Sequence, residues 1–226
     1  MLQNSLKIEQ PSSIEEKFYA GVDILNECFP SIKFLSKSYL DMNNDFVQSL
    51  LSVESGSNHE LFLVPRYSLL AESPYDIVMK LMALLHSRIE LEHSHLGLIK
   101  TGYIPSRELD EKGLQNSVSS LYGDYADFIL LRTDGIINVN RKNKGVKLDL
   151  YTALMLFLLS EGQLLTKKEN KVDYGCRSLC LICEGTVVNF DKNPVIYVGC
   201  GGDLQIGVTD IRTIYSGVID LSTIIL

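Results

Sequence analysis

The stretch Leu148-Asp149-Leu150-Tyr151-Thr152-Ala153-Leu154-Met155-Leu156-Phe157-Leu158-Leu159-Ser160-Glu161-Gly162 has almost no side that water tolerates. From Leu150 to Leu159 only Thr152 interrupts the apolar side chains. A helix that is apolar all round has to be buried all round. Its ten residues also fall well short of the about 20 that a membrane span needs. The expectation is therefore a buried central helix, about 148–161, with the rest of the chain wrapped over it.

Composition narrows the class of protein without naming an activity. A chain of 226 residues with 46% hydrophobic and 22% charged residues reads as an ordinary globular protein. It is expected to form a single domain over 1–226, the alternative being a division near 105–125 into a helix-rich part (1–105) and a β-rich part (115–226). Lys+Arg 21 against Asp+Glu 28 leaves a formal charge of −7, so the molecule as a whole repels phosphate backbones and a nucleic-acid partner is disfavoured. The first residues, Met1-Leu2-Gln3-Asn4-Ser5-Leu6-Lys7, lack the basic start and apolar middle of a secretory signal. No apolar run reaches membrane length. Five cysteines, four of them between Cys176 and Cys200, make a poor disulfide framework. The expected setting is reduced, cytoplasmic and away from membranes.

Taken in order, Ser13 and Glu16 have the spacing of a capping box, and Ile14, Phe18, Val22, Leu25 and Phe29 recur at helical spacing until Pro30. Ser31–Ser38 reads as a strand and Asn43–Val53 as a helix. Leu61–Val64, followed by Pro65, is an expected short strand that the proline ends or pushes to an edge. Ser73, Pro74 and Asp76 mark a second helix start, with the helix running to about Ile89. His93–Tyr103 has strand character, Leu114–Tyr122 suits a short helix, and Asp134-Gly135 between two apolar runs predicts a hairpin. After Gly175 the chain reads as strands: Ser178–Cys183, Thr186–Phe190, Val195–Val198, Leu204–Val208 and Ile211–Ile219, with turns at Asp191–Pro194 and Gly199–Asp203. Helices leading and strands following favour an α+β fold: a helix-rich N-terminal half and a mainly antiparallel β C-terminal half packed around the buried helix.

Three groupings could carry chemistry. Pro194-Val195-Ile196-Tyr197-Val198-Gly199-Cys200-Gly201-Gly202-Asp203 resembles the first motif of class I S-adenosylmethionine-dependent methyltransferases, where a strand enters a glycine turn that lets the backbone approach the cofactor. The resemblance implies that Gly199, Gly201, Gly202 and Asp203 line a cofactor site. That family also requires a helix directly after the glycines, whereas Leu204–Thr209 reads as a strand, and only 23 residues follow Asp203. The plainer reading is a turn between antiparallel strands.

Cys176, Cys180 and Cys183 show a C-x3-C-x2-C spacing that resembles the cluster motif of radical S-adenosylmethionine enzymes. There the motif opens a barrel, for which the 43 residues beyond Cys183 are too few. Structural zinc would need the sulfurs to converge, yet in a strand Cys183 faces away from Cys176 and Cys180. Core cysteine is the simpler assignment. In Glu90-Leu91-Glu92-His93-Ser94-His95, His93 and His95 share a strand face and could hold a divalent metal with a carboxylate; on a continued helix, His86, Glu90 and His93 would share a face instead. A solvated helix end is the plain alternative.

Nine basic residues, Arg132, Arg141, Lys142, Lys144, Lys147, Lys167, Lys168, Lys171 and Arg177, bracket the apolar helix and would suit an acidic or phosphorylated ligand, or simply solvated loops. The apolar ending Val218–Leu226 is expected as a last strand docked into the core, and such a strand end also suits strand addition between subunits. Good core signals without a convincing catalytic set point to a non-enzymatic protein that works by protein–protein interaction in a regulatory or assembly role. It would bind a protein partner or itself and need no cofactor. The enzyme alternatives are a transferase using Gly199–Asp203 and a metal-dependent hydrolase using His93 and His95.

Overall fold

The computed structural model describes residues 13–31, 45, 48–49, 52, 60–88, 90–93, 97–100, 104–105, 127–138, 148–160, 180–183, 185–186, 193–198, 204–209 and 217–225. Within them the fold is α+β.

Helix α1 (Ile14–Cys28) starts where the spacing predicts. Ser13 Oγ accepts from the Glu16 N–H at 3.1 Å while Glu16 Oε2 accepts from the Ser13 N–H at 3.0 Å. This reciprocal pair satisfies two backbone donors that a helix start otherwise leaves open. The inner face buries Phe18, Val22, Ile24 and Leu25, and the outer face carries Glu15, Glu16, Asp23, Asn26 and Glu27 in water. Helix α2 (Pro74–Arg88) begins as expected at Ser73, whose Oγ accepts from the Asp76 N–H at 3.1 Å. Ile77, Val78, Leu81, Met82 and Leu85 form its buried side. Helix α3 (Leu150–Leu159) is buried at every residue, and it packs against α1, α2 and the first strand. At Gly21 α1 faces the end of α3, where an added Cβ would stand in ordinary contact, 3.7 Å from the Leu159 Cβ.

The strands are β1 (Glu60–Pro65), β2 (Glu90–His93), β3 (Gly97–Lys100), β4 (Ile104–Pro105), β5 (Phe128–Asn138), β6 (Cys180–Ile182), β7 (Asn193–Val198), β8 (Leu204–Thr209) and β9 (Gly217–Ile225). Seven of them form one sheet in the order β1-β5-β9-β6-β7-β8-β4, and β2 and β3 pair separately. Pairing is mostly antiparallel, with parallel contacts at β4–β8 and β6–β9. Among the described residues the sheet's two parts, β1-β5-β9 and β6-β7-β8-β4, meet through the Leu181–Gly217 bridge.

Consecutive strand residues point to opposite faces. All six residues of β1 and the run Phe128–Leu131 of β5 are buried, so both faces of the sheet are covered here. This is why Leu61-Phe62-Leu63-Val64 is a continuous apolar run rather than an alternating one. β1 is an edge strand by pairing, as Pro65 suggested, and its burial leaves that edge covered. Lys17 Nζ reaches the buried Glu60 carboxylate at 2.8 Å and ties α1 to it.

Two local expectations change. Asp134-Gly135 does not turn the chain: β5 runs straight through it, and the register against β9 slips from Thr133↔Leu221 to Ile136↔Ile219. Two residues there oppose the single Asp220, which makes a β-bulge; residues that tolerate unusual backbone angles suit a bulge as well as a turn. Asn193 and Pro194, expected in a turn, open β7 instead. The last strand, Gly217–Ile225, falls on the apolar ending as expected, and of the strand expected over 211–219 residues 211–216 lie outside the described residues. β9 lies inside the sheet order rather than at its rim. Of the expected helix over 43–53, Asp45, Gln48, Ser49 and Ser52 are described and helical. The elements expected over 31–38, 114–122 and 187–190 lie outside the described residues, apart from Ser31, a turn residue.

Candidate functional site

A strand, β8, follows residue 203 and pairs antiparallel with β7, with Val198 opposite Leu204. Residues 199–203 therefore link adjacent antiparallel strands, and the helix that the methyltransferase resemblance requires at this point is not there. Gly199, Gly201, Gly202 and Asp203 themselves lie outside the described residues. His93 ends β2, opposite Gly97, while His95 lies outside. Among the described residues no three His, Cys, Asp or Glu side chains are placed to hold a metal. Cys180 starts β6 and Cys183 follows it; Cys176, Cys200 and the basic residues other than Arg132 lie outside.

Two regions do gather functional groups, and sequence reasoning had singled out neither. The first is a buried polar cluster where α3 begins. Asp149 is the N-cap, 3% exposed: its Oδ1 accepts from the Thr152 N–H at 2.9 Å and its Oδ2 from the Thr152 hydroxyl at 2.7 Å. The next helix amide, Leu150 N–H, donates to Thr186 Oγ1 at 2.9 Å. The Gly185 N–H donates to the Leu148 carbonyl at 2.8 Å, and Asn193 Nδ2 donates to the Thr186 carbonyl at 2.8 Å. Buried backbone donors at a helix start cost free energy unless paired; here Asp149 pairs one locally and Thr186 pairs the other from a distant segment. The signal that could have found Asp149 was its position just before an apolar run, the usual place of an N-cap.

Cys183 sits against this cluster, fully buried, and its thiol is pushed well above the ordinary range by burial and then by the nearby Asp149 charge. Burial likewise raises the half-buried Cys28 thiol, with Arg88 opposing. A thiol held protonated is a poor nucleophile, so neither of these free cysteines is set up for covalent chemistry. The Cys183 shift has a consequence for stability. Its proton is lost first from the unfolded chain, so the stabilisation is complete below the ordinary thiol value of 9.0 and falls above it, by up to about 1.4 kcal/mol per pH unit. Urea unfolding of wild type and Cys183→Ala from pH 7 to pH 10 is expected to show a shallower alkaline decline in the variant. Parallel curves would contradict the burial of this thiol.

The second region is on the surface, between β1 and α2. Arg66, Tyr67, Leu69, Leu70, Ala71 and Tyr75 are each part-exposed, and the apolar ones pack inward on the core. Tyr67 lies in a short 3-10 turn, Tyr67–Leu69, with its ring edge-on to Tyr151 of α3 at 6.4 Å between centroids. The Tyr151 hydroxyl donates to the Pro65 carbonyl, and Arg66 pairs with Asp127, its backbone N–H donating to the Asp127 carbonyl at 2.8 Å. These contacts tie an aromatic and apolar surface to the core. No helical or strand period runs through residues 66–73, so periodicity does not reveal it.

Searches of known protein families, of curated proteins and of solved structures found no match for this chain. Among the described residues no helix is long and apolar enough to cross a membrane.

Proposed function

We propose that the protein is a non-enzymatic cytoplasmic interaction protein, regulatory or assembly-related, that binds a protein partner or a second copy of itself. The observation that carries this reading is the part-exposed surface of Arg66, Tyr67, Leu69, Leu70 and Tyr75. Tyr and Arg are enriched among the residues that dominate binding energy, and rigid aromatic anchors lose little conformational entropy on binding. In the same reading the helix-rich N-terminal half and the mainly antiparallel C-terminal half close around α3, which serves as the frame that keeps this surface in place.

The test compares wild type with Leu70→Glu, a charge placed on this part-exposed surface. Sedimentation velocity over a wide concentration range reads self-association. If the wild-type chain stays monomeric, quantitative affinity capture from cell extract reads a partner. Loss of a hot-spot contact weakens binding by roughly 2 kcal/mol, about thirtyfold. The expected result is that weakening with an unchanged circular dichroism spectrum. A chain that associates with nothing, or that binds equally well with Glu at position 70, would overturn the proposal.

A further inference from the structure

We draw no further inference here: the strongest candidate, the buried side-chain cluster of Asp149, Thr152, Cys183, Thr186 and Asn193 at the N-terminus of α3, carries none, because its carboxylate and hydroxyl groups already bond within the chain and nothing beyond a helix N-terminus and a lone cysteine points to a ligand.

Discussion

Phe157→Ala is expected to lower the unfolding free energy by about 3–5 kcal/mol, a large part of the roughly 5–15 kcal/mol that holds a domain together. Phe157 is fully buried within α3, and the helix is enclosed on all sides, so neighbouring side chains have little freedom to collapse into the vacated volume. Both the lost transfer free energy and the residual cavity then contribute. Urea unfolding followed by circular dichroism measures the change. Asn26→Ala on the exposed face of α1 is the control and should shift stability by under about 0.5 kcal/mol. A Phe157→Ala loss below about 1 kcal/mol would mean that this side chain is not enclosed.

Asp149→Ala should be nearly as costly, at about 3 kcal/mol, from the loss of a helix cap and the stranding of buried donors. The Thr152 amide and hydroxyl both depend on this carboxylate, and at 3% exposure water does not replace it. Asp149→Asn keeps one acceptor in place for the Thr152 amide and is expected to lose only about 1 kcal/mol. The ordering wild type, Asn, Ala in urea midpoint is the signature of a buried cap. Equal midpoints for all three would show that α3 begins in water.

Helix starts were legible because their chemistry is local. Ser13 with Glu16, and Ser73 with Pro74 and Asp76, carry their hydrogen-bond partners within three residues, and the structure pairs them as the spacing implies. Asp134-Gly135 was misread because those residues signal only that the backbone can depart from regular geometry; whether it turns or bulges depends on β9, about 85 residues later. The polar cluster at α3 was hidden for a similar reason. Thr186 meets the helix start from 36 residues away, and Asn193 bonds Thr186 in turn; no spacing rule links residues that only the tertiary fold brings together. Arg66 and Tyr67 were passed over because an interface needs exposed aromatic area rather than a repeat.

Native-state hydrogen exchange over residues 150–159 tests the enclosed α3 most directly. The amides from Ala153 onward should exchange only when the whole molecule unfolds, with protection that falls in step with global stability as urea is added. Exchange at those amides while the core amides of β5 stay protected would contradict it.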